Sequence, residues 1–103
     1  MNSIKLRTQI VNDLLELKIL LTHPMENGRN RDPISGKLIP AHYIQELVVE
    51  LNEKPILPMQ LGPSISANPF FSVNLKHLTA GDKIRVSWQD NLGNRDSQDI
   101  TVA

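Results

Sequence analysis

The sequence has 103 residues, which is long enough for one domain with one hydrophobic core and too short for two. Its 11 basic residues balance its 11 acidic residues, and because a nucleic-acid-binding protein needs surplus basic side chains to neutralise phosphates, binding to RNA or DNA is not expected. The absence of cysteine excludes disulfides and thiolate chemistry by this sequence.

The amino-terminal segment is unlike a secretory signal, because charged residues interrupt positions 1–7 and no apolar stretch follows them. No apolar run approaches the roughly 20 residues that span a bilayer, so a membrane segment is not expected either. If the protein acts outside the cytoplasm, we expect it to be carried there by something else.

Alternation of apolar and polar residues with a period of two recurs along the chain. This alternation predicts half-buried antiparallel strands, with one face on the core and the other in water. Strands are expected around Ile4–Ile10, Leu15–Leu21, Leu47–Leu51, Phe71–Leu75, Ile84–Trp88 and Ile100–Val102. The stretch between Ile10 and Leu21 is also compatible with a helix, but the alternation of Glu16 and Lys18 with apolar neighbours favours a strand.

Turn-forming residues separate these segments. Residues 12–13 and 90–94 are rich in Asn, Asp and Gly, which tolerate the positive φ angles of hairpin turns. All 7 prolines lie between Pro24 and Pro69, which leaves no room for a long helix in the middle of the chain. About six to eight short strands predict an all-β, immunoglobulin-like antiparallel β-sandwich that forms a single domain over residues 1–103.

The segment from His23 to His42 is long for a connection inside a compact domain. We therefore expect it to have a function or to contain a hairpin of its own. Arg29, Arg31 and Lys37 make the segment locally basic, which predicts a role in steering an acidic partner surface.

The three histidines, His23, His42 and His77, match no standard metal-binding spacing, although the first two flank one loop. We interpret them as surface or capping residues and predict no metal or other cofactor. The alternative is a periplasmic copper-binding β-sandwich, in which Met25 and Met59 supply soft ligands beside His23. Methionine as a filler of the core is the preferred interpretation of both residues.

Catalysis has no positive indication in the sequence. No serine lies in a nucleophile-elbow context, and the 5 glycines form no phosphate-binding loop. Trp88 is expected to anchor the core of the sandwich, as large aromatic residues do in such folds. An enzyme is therefore not predicted.

Apolar residues interrupt the strand faces that the alternation assigns to solvent, two on the second predicted strand and two on the third. Phe70 and Phe71 must point to opposite faces of their strand, so one belongs to the core and the other is covered by a loop or exposed to a partner. The residues predicted to face a partner protein are therefore Leu14, Leu20, Ile44, Val48, Phe70 and Phe71. Burial of the first four beneath the long loop is the alternative.

Five blocks of sequence form a specific combination that runs in order through nearly the whole chain. They are Thr22–Gly28, Gly36–Ile44, Ser66–Phe70, Ala80–Asp82 and Ser87–Gly93. In this combination the chain resembles the SoxZ family, the small subunit of the SoxYZ sulfur-carrier complex of bacterial thiosulfate oxidation.

The resemblance implies an immunoglobulin-like sandwich that pairs with SoxY. SoxY presents a cysteine on a flexible Gly-rich arm, and other Sox enzymes load, oxidise and hydrolyse the sulfur species bound to that thiol in the periplasm. A SoxZ-like subunit would contribute no catalytic group and would be exported with a signal-bearing SoxY. The basic loop would then steer anionic sulfur species or an acidic partner, and no carrier arm is expected after Ala103.

Overall fold

The computed structural model describes residues 2–76 and 78–103. They form strands β1 (Ile4–Val11), β2 (Leu14–Leu21), β3 (Ile44–Leu51), β4 (Lys54–Gln60), β5 (Phe70–Leu75), β6 (Lys83–Asp90) and β7 (Arg95–Thr101). Within these residues, no helix is long and apolar enough to cross a membrane. The predicted all-β class is confirmed, and the number of strands lies in the predicted range.

The strands form two antiparallel sheets, one in the order β1-β2-β5 and the other in the order β4-β3-β6-β7. The core lies between their inner faces and comprises Ile4, Leu15, Leu17, Ile19, Leu21, Met25, Ile44, Leu47, Val49, Ile84, Val86, Trp88 and Val102. Each large aliphatic side chain buried in this way stabilises the fold by roughly 1.5–3 kcal/mol. Trp88 belongs to this core as predicted, with 4% of its surface exposed.

The turn between β1 and β2 settles the one ambiguous segment of the sequence. Asn12 and Asp13 have φ angles of 50° and 65°, and Val11 pairs directly with Leu14. A two-residue turn with positive φ at both positions matches the right-handed twist of the flanking strands. The segment is therefore a hairpin, and the helical alternative is wrong.

Strand β4 was not predicted from the sequence. Pro55 and Pro58 interrupt its alternation, and a proline cannot donate a hydrogen bond to a neighbouring strand. The strand forms because it lies at the edge of its sheet, where the missing N–H groups need no partner on one side.

A bulge at the start of β3 turns Ile44 to the face of the sheet opposite to the predicted one. Ile44 pairs with Asp90 and Glu46 pairs with Gln89, so two steps along β3 correspond to one step along β6. The extra residue, Gln45, reverses the alternation, because a one-residue shift moves side chains to the opposite face. Ile44 therefore lies in the core with 0% exposure, and its predicted outward orientation is wrong.

The long loop between β2 and β3 contains a small hairpin of its own, as expected. Arg31 bridges to Leu38, and closer to the sheets Glu26 bridges to His42. The intervening turn is held by Asp32, whose Oδ1 accepts hydrogen bonds from the backbone N–H groups of residues 34 and 35 at 2.8 and 2.9 Å. This loop is therefore ordered by its own backbone contacts.

Candidate functional site

Three polar side chains converge at one end of the sandwich, where the long loop begins and ends. His23 follows β2, His42 precedes β3, and Asp90 is the last residue of β6. His23 and Asp90 are buried, and His42 is half-buried. Because β2 belongs to one sheet while β3 and β6 belong to the other, this histidine–aspartate cluster joins the two sheets.

The carboxylate of Asp90 is the centre of the cluster. Its Oδ2 accepts hydrogen bonds from Nε2 of His23 at 3.1 Å, Nε2 of His42 at 2.7 Å and Nδ2 of Asn94 at 3.0 Å. Its Oδ1 accepts from the backbone N–H groups of Leu92 at 3.0 Å and Asn94 at 2.8 Å. Burial acts to raise the pKa of Asp90, but these donors outweigh it and hold the pKa well below its usual range.

A second contact fixes the tautomer of His23. Its Nδ1 accepts a hydrogen bond from the backbone N–H of Met25 at 3.1 Å, so in the neutral ring the proton is on Nε2, which donates to Asp90. Burial lowers the pKa of His23, the hydrogen bond to Asp90 acts in the opposite direction, and the nearby His42 adds to the lowering. His23 is therefore a neutral, buried donor that also caps the backbone N–H of Met25, so of the predicted surface or capping role only the surface position is wrong.

The same tautomer argues against a metal ion in the cluster. One ligand atom from each of His23, His42 and Asp90 lies within 4.8 Å of the others, which is close enough to suggest a shared ion. Coordination through Nε2 of His23 would move its proton to Nδ1, where it would face the N–H of Met25. Two donors would then oppose each other in a buried position, so the residues present do not fit a metal.

The copper-binding alternative gains no support from the structure. The sulfur of Met25 lies 3.4 Å from the backbone nitrogen of Ile44, within the core. Met59 lies on β4 opposite Leu47 and packs against the core, as the preferred interpretation of the methionines predicts. His77 lies outside the described residues.

A second buried network starts from Trp88, whose indole packs edge-on against His23 with ring centroids 5.2 Å apart. The indole Nε1–H donates to Oγ of Ser3 at 2.9 Å, and that hydroxyl donates to Oδ2 of Asp96 at 2.5 Å. Burial acts to raise the pKa of Asp96, but the hydroxyl and backbone N–H of Ser3 lower it on balance. The network ties the start of the chain to β6 and β7.

The predicted partner-facing residues do not form one surface. Leu14 and Leu20 lie at opposite ends of β2, and Val48 lies half-buried on the outer face of the other sheet. Phe71 is half-buried against the core, whereas Phe70 is 58% exposed. One phenylalanine thus points inward and the other outward, as expected.

Leu20 and Phe70 are neighbours on the outer face of the three-stranded sheet. The cross-strand register aligns Lys5 with Leu20 and Leu20 with Phe70, and it places Arg7 opposite Lys18 in the next row. These five side chains line a shallow groove, which we call the cationic–apolar face. Alternation on β1 and β2 places Lys5, Arg7, Lys18 and Leu20 outward, but the grouping of these four residues with Phe70 depends on the register between strands, which the sequence pattern does not give.

The basic loop residues lie at the surface of the small hairpin. Arg29, Arg31 and Lys37 are exposed, and Nη1 of Arg31 donates to the carbonyl of Gly36 at 2.9 Å. One of the three cations therefore stabilises the loop itself. A steering role for the group stays a prediction.

Two packed antiparallel sheets, with polar clusters that hold their strands and loops together, define a β-sandwich domain. Residues 4–101, nearly the whole chain, match the family described as Sulphur oxidation protein SoxZ. The chain therefore belongs to the SoxZ family, which confirms the resemblance and gives the protein a role in sulfur oxidation. A search among curated proteins found no match.

Proposed function

We propose that this chain is a non-catalytic scaffold subunit that pairs with SoxY to form the SoxYZ carrier. In that carrier, a cysteine of SoxY holds sulfur intermediates covalently during thiosulfate oxidation. Membership of the SoxZ family over residues 4–101 is the observation that carries the proposal. The sequence contains no cysteine, and the proposal accordingly assigns the thiol to SoxY.

The chemistry of the histidine–aspartate cluster supports a scaffold role. A general base needs an acceptor atom that is accessible to a substrate. The accepting nitrogen of His23 is bonded to the N–H of Met25, and both oxygens of Asp90 are bonded to donors of the fold. His23 and Asp90 therefore stabilise the end of the sandwich and are not disposed to exchange protons with a substrate.

The exposed apolar side chains support an association with another protein. Phe70 and Leu20 are 58% and 40% exposed and lie side by side, at a surface whose other members are cations. Aromatic residues that dock into a partner are common centres of binding energy. We propose that the partner is SoxY and that the pair acts in the periplasm, exported together through a signal on SoxY.

Co-expression with SoxY from the same organism tests the proposal. A tag on SoxY should recover this chain, and the mass of the purified complex should correspond to one copy of each subunit. A SoxY with its carrier cysteine replaced by serine should recover the chain equally well, because pairing does not require the thiol. Failure to recover the chain with either SoxY would refute the proposed pairing.

Location is tested in the same cells. Fractionation should find the chain in the periplasm when it is co-expressed with SoxY that carries its signal, and in the cytoplasm when that signal is deleted. Cytoplasmic retention in both cases would refute the periplasmic proposal while leaving the pairing intact.

A further inference from the structure

The edges of the two sheets differ in how well they are protected against pairing with another strand. The edge strands are β1, β5, β4 and β7. Strand β4 contains two prolines, β7 contains three charged residues, and β1 contains two cations and packs against β7. Prolines and charges are the usual protection of an edge. Strand β5, with the sequence FFSVNL, has neither.

The pattern of hydrogen-bonded pairs between β2 and β5 shows which backbone groups of β5 point outward. The N–H of Leu21 donates to the carbonyl of Pro69 at 3.0 Å, so this pair is bonded across β2 and β5. Bonded and non-bonded pairs alternate in an antiparallel ladder. The N–H and C=O groups of Phe70, Ser72 and Asn74 therefore point away from β2, and within residues 2–76 and 78–103 no backbone group pairs with them.

The side chains beside this edge select the chemistry of a partner. Phe70 and Leu20 provide adjacent apolar anchors, and Lys5, Arg7 and Lys18 surround them. The nearest acidic residue on β2, Glu16, contacts Lys18 at 3.4 Å, which leaves the face with a positive excess. Opposite charges across an interface direct association and suppress wrong partners.

We propose that an extended segment of SoxY, apolar at its centre and acidic at its flanks, adds to β5 as a further strand. Its backbone would bond to Phe70, Ser72 and Asn74, and its outward side chains would pack on the cationic–apolar face. A second copy that paired through its own β5 would bring the same cations to both sides of the interface, so charge complementarity at this edge favours a different protein. The inference rests on the proposed pairing with SoxY.

Substitutions on β5 test the backbone contribution. Ser72→Pro removes an outward N–H and blocks the edge without removing a bond to β2, so the dissociation constant of the complex should rise by about tenfold or more. Ser72→Ala keeps the N–H and should bind like the wild type. The melting temperature of each variant confirms that the sandwich remains folded.

Substitutions on the face test its apolar and charged groups. Phe70→Ala should weaken the complex by about tenfold or more, as expected for an anchor residue. Ile34→Ala, at a 96% exposed position on the loop, is the matched control and should have no effect. Arg7→Glu should slow association at low salt, and the difference should shrink as salt is added, whereas Lys54→Glu on β4 should leave the rate unchanged.

Hydrogen exchange provides a measurement that needs no variant. On complex formation, the amides of Phe70, Ser72 and Asn74 should exchange at least about tenfold more slowly, because new backbone bonds protect them. Protection confined to another edge strand would overturn the inference. So would a dimer of the isolated chain that Ser72→Pro dissolves, since the occupant would then be a second copy.

The outcomes separate this inference from the proposed function. If the wild-type chain does not bind SoxY, the pairing itself is refuted and the inference falls with it. If the wild type binds and the Phe70, Ser72 and Arg7 variants bind equally tightly, the pairing stands and only the β5 docking surface is refuted.

Discussion

The histidine–aspartate cluster and the cationic–apolar face differ in how far their polar groups are satisfied within the chain. In the cluster, both oxygens of Asp90 accept hydrogen bonds, and both ring nitrogens of His23 take part in them. On the face, Phe70 is 58% exposed, and the adjacent edge of β5 has outward backbone groups that no strand of the described residues pairs with.

This difference is the opposite of what the residue types of the two regions suggest about their functions. Histidine and aspartate are the residues of catalytic and metal sites, yet here their geometry serves to join two sheets. Phenylalanine, leucine and lysine have little chemistry of their own, yet they form the exposed face beside the open edge of β5. For this reason we base the proposed docking surface on groups that the fold leaves open and not on reactive residue types.

Replacing Asp90 by alanine should have the largest effect on stability. The substitution leaves the buried Nε2–H of His23 without an acceptor and breaks the hydrogen bonds from His42 and from the backbone N–H groups of Leu92 and Asn94, at a cost of roughly 3–5 kcal/mol in the free energy of unfolding. Urea unfolding followed by the fluorescence of Trp88, the one tryptophan, measures the loss. Asp99→Ala removes an exposed carboxylate that pairs with Arg85 and should cost far less. Equal losses would show that the cluster does not hold the two sheets together.

The sequence predicted the strands better than the cluster, for physical reasons. Period-two alternation reports which face of a strand is buried, so β2 and β6 were recognisable. The cluster brings residues 67 and 48 positions apart into contact, and Asp90 has the sequence signature of an ordinary turn residue. Its burial depends on a loop conformation that no local pattern encodes.

Local exceptions account for the other errors. The bulge at Gln45 turned Ile44 inward, and a bulge leaves no reliable mark in a single sequence. Pro55 and Pro58 obscured β4, because edge strands tolerate residues that central strands exclude. By contrast, the opposite orientations of Phe70 and Phe71 followed directly from the geometry of a strand and were predicted correctly.

Replacing Trp88 by phenylalanine should cost about 1–3 kcal/mol, because it removes the Nε1–H bond to Ser3 and part of a buried ring. Thermal unfolding followed by circular dichroism measures the loss. Ser3→Ala should be strongly non-additive with this substitution, since both variants break the same bond. Additive losses in the double variant would indicate that the indole contributes through packing alone.

Mild acid should lower the stability of the fold through protonation of His23, at a pH at which the carboxylates are still ionised. Because burial lowers the pKa of His23 below its usual 6.5, the unfolded chain binds a proton first, and stability falls as the pH drops through and below about 6.5. The slope is at most about 1.4 kcal/mol per pH unit for this one proton. The carboxylate of Asp90, with a pKa lowered from 3.8, acts in the same direction only at lower pH.

Unfolding measured between pH 7 and 5 isolates the histidine contribution. His23→Gln keeps a donor toward Asp90 but cannot titrate, so its stability should depend less on pH than that of the wild type. An unchanged slope in this variant would assign the acid sensitivity to another group and remove the argument that the fold holds His23 neutral.

The smallest expected loss of stability comes from Phe70→Ala, and its comparison with Phe71→Ala tests directly whether Phe70 belongs to the exposed face or to the fold. In the isolated chain, Phe70→Ala should change the free energy of unfolding by less than about 0.5 kcal/mol, because Phe70 is 58% exposed. Phe71→Ala removes a ring packed against the core and should cost about 1–2 kcal/mol. Urea titrations of both variants measure the pair. If Phe70→Ala were as destabilising as Phe71→Ala, Phe70 would belong to the fold, and the face would lose the anchor that distinguishes it from the satisfied cluster.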